Sequence, residues 1–281
     1  MPIQPQHPPP EKLALPGVRH VLAVASGKGG VGKSTVAVNL ALALAEQGRA
    51  VGLMDADLYG PNIPRMLGID ARPLIRGNRI IPLVQYGLRV LSIGFLLPAR
   101  DSPVIWRGPL VAKTLEQFFT ETDWEGLDYL VVDLPPGTGD AQLTLAQRVS
   151  VSGAVIVTTP QEVALEDAVK GVRMFQQVDV PILGILENMS YFLCPHCGER
   201  TNIFRSEGGS RISEELGVPF LGRLPLDPQV CQGGDKGRPF LLDHPDAPAA
   251  VVFRSLARAV RELCEPSEEV LEREGMEPSQ P

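Results

Sequence analysis

The sequence predicts an α/β protein whose mostly parallel, doubly wound sheet is covered by helices on both faces. Short runs rich in Val, Ile and Leu alternate with helical patterns along most of the chain, which is typical of strands buried on both faces. A glycine-rich segment joins the first of these runs to the first helix. With 281 residues, 44% of them apolar, the chain is long enough to form one large core.

Turn residues mark where the predicted elements begin and end. Residues 26–27 follow the first run, Gly48 ends the first helix, and residues 135–137 (Pro-Pro-Gly) follow the third run. The predicted strands are residues 20–25, 50–54, 128–133, 153–158 and 181–186. The predicted helices are residues 33–47, 108–120, 140–149, 163–177, 207–216 and 249–264. Residues 73–98 contain further β-like pieces, but their punctuation is weak and their strands stay unplaced.

The two ends of the chain differ in composition from the middle. Residues 1–17 are rich in proline, which predicts a flexible arm, and residues 266–281 are acidic and poor in apolar residues, which predicts a solvated tail. Residues 18–265 are therefore expected to form the single folded domain. Neither end is expected to carry enough apolar surface to dock on that domain.

Charge and cysteine content exclude several classes of protein. The formal net charge of −7 argues against a general binder of nucleic acids or anionic membranes. No apolar run approaches the roughly 18 residues of a membrane helix, and prolines interrupt any signal-peptide core at the N-terminus, so a cytoplasmic location is expected. Four cysteines in 281 residues do not form a disulfide framework.

The most specific motif is the glycine-rich segment GKGGVGKST, which fits the phosphate-binding pattern G-x-x-x-x-G-K-[ST]. Its glycines let the backbone wrap around phosphate oxygens, and the following helix contributes its positive end. We expect Lys33 to reach the β- and γ-phosphates and the Ser34 hydroxyl to bind Mg²⁺. The predicted nucleotide-binding residues of this loop are Gly27, Lys28, Gly29, Gly30, Val31, Gly32, Lys33, Ser34 and Thr35.

Carboxylates follow two of the predicted strands. Asp55 and Asp57 come after the strand 50–54, and Asp133 ends the strand 128–133. Because such positions lie at the carboxyl edge of a parallel sheet, these groups can hold Mg²⁺ and orient a water for phosphoryl transfer. Asp55 and Asp133 are the predicted magnesium-side residues; each could instead be a turn or cap residue.

A Cys-x-x-Cys pair, Cys194 and Cys197, is the second chemical signal. The glycine after the second cysteine is typical of a knuckle whose backbone N–H groups bond to thiolate sulfurs that face one metal. Two thiolates are half of what zinc or an iron–sulfur cluster usually requires. A second copy of the chain is the favoured completion, since a twofold axis gives four thiolates.

Other readings of the cysteines remain open. Cys231 and Cys264, or His196, are alternative ligands from the same chain. A structural zinc knuckle is a fair alternative to an iron–sulfur cluster, because the cysteines alone do not separate the two metals. A thioredoxin-like dithiol is less favoured, because the motif lies late in the chain and in a loop rather than at a helix start.

Taken in order, six motifs resemble those of the Mrp/ApbC group of iron–sulfur cluster carrier ATPases. The resemblance covers about residues 18–264 and is carried by Gly27–Thr35 (GKGGVGKST), Asp55–Pro64 (DADLYGPNIP), Asp133–Asp140 (DLPPGTGD), Glu187–Ser190 (ENMS), Cys194–Cys197 (CPHC) and Gly234–Pro239 (GDKGRP). It implies a P-loop NTPase fold and a slow, Mg²⁺-dependent ATPase. It also implies a homodimer that binds a [4Fe–4S] cluster from a donor through the shared Cys pair and delivers it to apo-proteins.

The resemblance also assigns roles to single residues. Lys28 is implied to be the signature lysine, which reaches from the rim of the loop to the phosphates of the facing subunit. Asp57 is implied to orient the hydrolytic water. Asn188 is implied to contact adenine, with Pro225 and Asp227 in the loop beyond it. Lys28, Lys33 and Asp57 are thus the predicted catalytic residues.

The sequence also departs from the family pattern. Many relatives carry an additional N-terminal domain, whereas the arm here is short and has no cysteine. The rival prediction is a spatial-positioning ATPase of the partitioning or septum-site type, which has the same P-loop. Such a protein needs a membrane-binding helix or a basic DNA-binding face, and it would leave the Cys-x-x-Cys motif unexplained. A nucleotide-gated dimer with a structural zinc is the third possibility.

Overall fold

A computed structural model describes residues 12–58, 60–96, 108–205 and 207–265, and most of its strands lie in one nine-stranded sheet. The strands are β1 (Val18–Ala25), β2 (Val51–Asp55), β3 (Leu74–Arg76), β4 (Arg79–Ile81), β5 (Leu83–Gln85), β6 (Leu88–Ser92), β7 (Leu127–Asp133), β8 (Gly153–Thr158), β9 (Ile182–Leu193), β10 (Arg200–Thr201) and β11 (Phe220–Pro225). The helices are α1 (Lys33–Glu46), α2 (Ile63–Met66), α3 (Gly108–Thr120), α4 (Asp140–Arg148), α5 (Glu162–Gln177), α6 (Gly208–Leu216), α7 (Pro228–Lys236), α8 (Phe240–Asp243) and α9 (Pro248–Cys264).

The sheet is mostly parallel, as predicted. Its order is β10-β9-β8-β1-β7-β2-β6-β5, with β11 also paired to β9. Only the edge strands β5 and β10 run antiparallel to their neighbours. The register pairs Asp55 on β2 with Asp133 on β7, so both carboxylates lie at the same edge of the sheet.

The helices form two packed groups, one on each face of the sheet. Helix α1 packs against α9, while α3, α4, α5 and α6 pack in sequence on the other side. Helix α1 is apolar nearly all round because it lies between the sheet and α9. Helix α9 is amphipathic and buries Phe253, Leu256 and Val260. Among the described residues, no helix combines the length and apolar character needed to cross a bilayer.

Several elements were not placed from the sequence. Residues 74–92 form four short strands, of which three have only three residues, too few to show a period of two. Helix α7 was not predicted because its sequence, PQVCQGGDK, has two glycines and little apolar patterning. Strand β9 extends to Leu193, well beyond its predicted end at residue 186, and carries the chain out to the cysteines.

The predicted flexible arm is packed along its last six residues. Leu13 forms a parallel bridge with Val149, and its backbone bonds to Arg148 and Ser150. Leu15 is buried in the core. The prediction that residues up to 17 are a free arm is therefore wrong for residues 12–17, because two leucines among the prolines supply the apolar contact. Residues 1–11 and the predicted tail 266–281 lie outside the described residues.

Candidate functional site

The glycine-rich loop connects β1 to α1 at the carboxyl edge of the sheet. Gly32 is the residue that begins α1, and its φ of 87° lies in the left-handed region that favours glycine. Its carbonyl accepts from Val36 N at 3.0 Å, which starts the helix. A side chain at Gly27 would collide with the backbone of Asp167 on α5, 2.2 Å away. The loop thus has a phosphate-binding backbone shape fixed by its neighbours.

A cavity of about 330 Å³ opens beside this loop. One wall is the loop itself, including Lys28, Lys33 and Ser34. The opposite wall is formed by α2 and α7, through residues such as Arg65 and Cys231. The predicted loop residues Gly29, Gly30, Gly32 and Thr35 also line it, whereas Gly27 and Val31 do not. The structure therefore brings most of the predicted phosphate-binding residues to one cavity.

Lys33 lies at the floor of the cavity among carboxylates. It is 6% exposed, and its Nζ is 2.7 Å from Asp133 Oδ1 and 3.6 Å from Asp57 Oδ2. Asp55 lies beside Asp133 in the register of β2 and β7. Three carboxyl groups thus lie close to one buried ammonium group, whose single charge cannot balance all three in the ionised form.

The pKa values of two of these buried carboxyl groups are raised. Burial, with the charge of Asp133 next in size, raises the pKa of Asp55 to about 8. Burial also raises the pKa of Asp133, although the adjacent Lys33 opposes this. An added cation at this place would favour the ionised form of both groups.

Asp55 organises the segment that follows β2. Its Oδ2 accepts from Ser92 Oγ at 2.9 Å and from Ile63 N at 3.2 Å, and its Oδ1 accepts from Asp57 N at 3.2 Å. These bonds fix both ends of residues 57–63. Asp57 is consequently held facing the cavity, where it is 8% exposed. Asp55 therefore positions Asp57, a role beyond the predicted one on the magnesium side.

The residues present fit Mg²⁺. Asp133 Oδ2 is buried and makes no hydrogen bond to any described residue, so it is an acceptor available to a metal-bound water. Ser34 lines the cavity at the start of α1. The excess of carboxylates over ammonium groups is also what a divalent cation balances. Ser34, Asp55 and Asp133 remain the predicted magnesium-side residues.

Lys28 is half-buried on the cavity wall, and its carbonyl accepts from Ser26 Oγ at 2.9 Å. This bond holds the loop backbone at the position of the lysine. The placement agrees with a lysine at the rim of the loop. Its predicted reach to a facing subunit stays a prediction.

The three residues expected on the adenine side do not line this cavity. Asn188 lies against the loop, and its Nδ2 donates to Val31 O at 2.8 Å. Pro225 ends β11 and pairs in register with Tyr191. Asp227 begins α7, where its Oδ1 accepts from Gln229 N at 2.9 Å. Their contact with a base stays a prediction.

Sequence reasoning missed the wall formed by α2 and α7. Arg65 on α2 forms an ion pair with Asp235 on α7 at 3.2 Å. Gly68 and Gly237 approach so closely that a Cβ on Gly237 would lie 2.6 Å from Gly68 Cα. The motif GDKGRP contains Gly237, and its glycines are the signal in the sequence of this close packing.

The cysteine pair lies in a hairpin between β9 and β10. Gly198, with φ 72°, donates its N–H to Cys194 O at 2.8 Å, and Cys194 N donates to Glu199 O at 3.0 Å. Hydrogen bonding from the backbone N–H groups of Cys197 and then His196 lowers the pKa of the Cys194 thiol. The backbone turns at the cysteine pair as a knuckle requires, and metal binding by the pair stays a prediction.

Ligands from the same chain do not complete this site within residues 12–58, 60–96, 108–205 and 207–265. No group of three or more His, Cys, Asp or Glu residues in those ranges could hold a metal ion. Cys231 instead lines the cavity beside the glycine-rich loop, with its Sγ 3.8 Å from Asp235 Oδ2. Cys264 packs at the end of α9, where burial raises the pKa of its thiol to about 12. The alternatives that placed Cys231, Cys264 or His196 beside the pair are not supported.

Comparison with known proteins agrees with this architecture. The model of the ParA family, described as NUBPL iron-transfer P-loop NTPase, matches residues 17–261. An iron-sulfur cluster carrier protein of Aquifex aeolicus is 49% identical over 262 residues, which are 92% of this chain and 72% of that protein. The iron-sulfur cluster transfer protein NUBPL of Dictyostelium discoideum is 48% identical over 258 residues, 91% of this chain and 80% of that protein.

Solved structures show the same fold. A nucleotide-binding protein from Archaeoglobus fulgidus, in complex with ADP and with cobalt found in it, has a TM-score of 0.71 and 40% identity, covering 79% of this chain and 88% of its own. The cell division ATPase MinD of Pyrococcus furiosus has a TM-score of 0.66 at 24% identity, covering 87% and 99%, and this likeness concerns the fold alone. These matches confirm the resemblance carried by the motifs, and the chain belongs to the ParA family of NUBPL iron-transfer P-loop NTPases.

Proposed function

We propose that this protein is an ATP-hydrolysing carrier of iron–sulfur clusters that receives a [4Fe–4S] cluster from a donor and transfers it to apo-proteins. The relatives named as cluster carriers, at about half identity over most of the chain, support this proposal. The observation that carries it is the Cys194 hairpin, which the Gly198 N–H bond to Cys194 O closes and which holds two free cysteines, although the described residues contain no group of three metal ligands.

The cluster is cargo shared between two chains. Cys197 is exposed and Cys194 is partly exposed, so both sulfurs can meet an identical pair across a twofold axis. Two chains then supply the four thiolates that a cubane cluster requires. Dimerisation and cluster binding are consequently one linked equilibrium.

ATP is the proposed energy source, and its hydrolysis is slow. Lys33 moves from Asp133 toward the β- and γ-phosphates when the nucleotide enters, and Asp57 orients the attacking water. Mg²⁺, when bound near Ser34 and Asp133, supplies neutralisation of the phosphate charge. Lys28 reaches the phosphates of the second subunit. Asn188, with the loop that contains Pro225 and Asp227, contacts the adenine.

The deciding experiment is anaerobic reconstitution with iron and sulfide, followed by metal analysis, visible spectroscopy and sizing. The proposal expects about four irons per dimer, a broad visible band, and a shift to monomer after chelation. Zinc at one ion per dimer after metal-replete expression, with no retained iron after reconstitution, would instead establish the structural-zinc dimer. Iron retained on a monomer would contradict a shared site. A cytoplasmic location and the absence of nucleic-acid and membrane partners stay predictions.

A spatial-positioning ATPase is the weaker candidate. The MinD and ParA-type structures share the fold of this chain at low identity. That fold accounts for the nucleotide cavity but gives no use for the Cys194 hairpin between β9 and β10 at the edge of the sheet. Binding of the apo-protein to DNA or to vesicles in the presence of ATP would favour this candidate.

A further inference from the structure

The cysteine hairpin is joined to the nucleotide cavity at two points on β9 that are three residues apart. Asn188 Nδ2 donates to the carbonyl of Val31 in the phosphate loop at 2.8 Å. The carbonyl of Tyr191 accepts from Leu226 N at 2.6 Å, and the next residue, Asp227, begins helix α7. Since the loop and α7 are opposite walls of the cavity, both walls hold the stretch of strand that leads to Cys194.

This stretch is a break in the regular sheet. Strand β9 pairs with β8 only as far as Glu187, and its register with β11 shifts just beyond that point. Met189 has a φ of 54°, a left-handed conformation that is costly for a residue with a side chain. Beyond the break the strand pairs with the two residues of β10. The direction of the hairpin therefore depends on a few specific contacts rather than on a long ladder.

A buried carboxylate holds the break in place. Glu187 is fully buried; its Oε1 accepts from Ser190 Oγ at 2.5 Å and its Oε2 accepts from Gly209 N at 2.6 Å. The first bond spans residues 187–190, the irregular part of β9. The second joins this part of the strand to the start of α6. Asn188 is consequently presented to the phosphate loop in one orientation.

The peptide unit between Val31 and Gly32 is where a bound nucleotide would affect the contact with Asn188. In a trans peptide the C=O and N–H point in opposite directions. The carbonyl is taken by Asn188, so the Gly32 N–H points away from Asn188, and Gly32 lines the cavity. A Cβ at Gly32 would lie 2.2 Å from Asn188 Nδ2, so the two residues have no slack between them. A phosphate that accepts a hydrogen bond from the Gly32 N–H polarises this peptide unit and thereby changes the hydrogen bond between Val31 O and Asn188 Nδ2.

We propose that Asn188 is a positioning residue that couples nucleotide binding at the phosphate loop to the orientation of the Cys194 hairpin. This inference rests on the proposed function only in taking the hairpin as the cluster site. Coupling between two sites is reciprocal, so a metal on the cysteine pair changes nucleotide affinity by the same factor as nucleotide changes metal affinity. The substitution of Asn188 removes that factor.

The test is hydrogen exchange of the full chain, with and without saturating ADP and Mg²⁺. Peptides covering the phosphate loop report binding, and peptides covering residues 191–203 report the hairpin. In the wild type, ADP slows exchange in both regions, by about fivefold or more in the hairpin. Asn188→Ala is expected to bind ADP more weakly, so ADP is raised until the loop peptides are protected as in the wild type; the hairpin then still exchanges at its nucleotide-free rate. Asn202→Ala, the same substitution at an exposed position in the hairpin region, keeps the wild-type response.

A second variant covers the case in which Asn188→Ala no longer binds ADP. Ser190→Ala removes the bond to Glu187 without touching the phosphate loop, and its hairpin response falls below that of the wild type. Zn²⁺ titrations give the independent measure: Zn²⁺ changes the Kd for ADP in the wild type, and this change is lost in the variants.

Four results would overturn the coupling. The first three are an unresponsive hairpin in the wild type, a full hairpin response in an Asn188→Ala protein that binds ADP, and a full response in Ser190→Ala. A response that disappears on dilution to monomer would also overturn it, because the partner chain rather than Asn188 would then be the cause. Iron uptake by the wild type is measured separately. If the wild type takes up iron although the coupling is absent, only the coupling fails and the proposed function stands.

Discussion

The nucleotide cavity and the cysteine hairpin differ in how far a single chain completes them. At the cavity, Lys33 is already paired, Asp55 accepts three hydrogen bonds, and the loop glycines fit their neighbours. At the hairpin, the partly exposed Cys194 and the exposed Cys197 are supported by the two-residue strand β10, and no further ligand lies nearby in the described part of the chain. Under the proposed function, one chain supplies most of the nucleotide site, whereas the cluster site needs the cysteine pair of a second chain.

The largest effect is expected from substitutions in the cysteine pair, the site that one chain leaves incomplete. Cys194→Ala and Cys197→Ala each lose all reconstituted iron, because two thiolates in a symmetric site are too few for a four-iron cluster. Both variants still bind ADP, since the cavity does not include the cysteine pair. Iron analysis and ADP titration of each variant measure the two outcomes.

Cys231→Ala and Cys264→Ala are the matched controls for this experiment. Cys231 lies at the nucleotide cavity and Cys264 at the end of α9, so both variants keep their iron. Loss of iron in Cys231→Ala would show that the site closes within one chain.

The next largest effect is expected from substitution of Lys33 in the nucleotide cavity. Lys33→Ala removes the ammonium that opposes the phosphates, and nucleotide affinity falls by at least about 100-fold. It also leaves Asp133 and Asp57 without their shared cation, so the apo-protein loses stability, on the order of 3–5 kcal/mol at neutral pH. Nucleotide titration and denaturant unfolding measure these two losses.

Asp57→Asn is the matched variant, because it changes a neighbour of Lys33 but not the phosphate contacts. It keeps nucleotide binding, because Lys33 still has Asp133 as its nearer partner, and it loses turnover by about 100-fold, since the amide does not orient the attacking water as the carboxylate does. Hydrolysis at the wild-type rate in Lys33→Ala would contradict the assignment of the loop.

The sequence predicts those features of the two sites that are encoded by neighbouring residues in the chain, and it does not predict contacts between distant residues. The phosphate loop is encoded in nine consecutive residues, and the knuckle in five, so both are recognised without a structure. The contact between Asn188 and Val31 joins residues 157 positions apart, and no local pattern encodes it. The same holds for Asp55, whose role in holding Asp57 depends on Ser92 from an unplaced strand.

The pH dependence of the free energy of unfolding tests whether Asp55 is protonated in the folded apo-protein. The pKa of Asp55 is raised by burial to about 8, so the folded apo-protein binds a proton there more tightly than the unfolded chain, whose Asp pKa is about 3.9. The free energy of unfolding therefore falls as pH rises from about 4 to about 8, by at most about 1.4 kcal/mol per pH unit from this group.

Asp55→Asn removes this part of the slope, even though the amide costs stability at every pH by disturbing the bond to Asp57 N. Urea unfolding at intervals of pH measures the slope, and Mg²⁺ reduces it in the wild type because the cation favours the ionised carboxylate. An unchanged slope in Asp55→Asn would mean that Asp55 stays ionised in the apo-protein.

The smallest effect concerns the edge of the domain, which neither site requires. A chain that begins at residue 18 lacks Leu13, with its two backbone bonds at Arg148 and Ser150, and the buried Leu15. Compared with a chain that begins at residue 12, it loses about 1.5–3 kcal/mol of stability, mostly from the burial of Leu15. Leu15→Ala in the longer chain reproduces most of this loss. Both truncated chains keep ADP affinity and iron content at the wild-type level, because residues 12–17 contact neither the cavity nor the hairpin through any bond described for them. Equal stability of the two chains would return residues 12–17 to the flexible arm that the prolines predict, whereas altered iron content would show that the arm takes part in the cluster site.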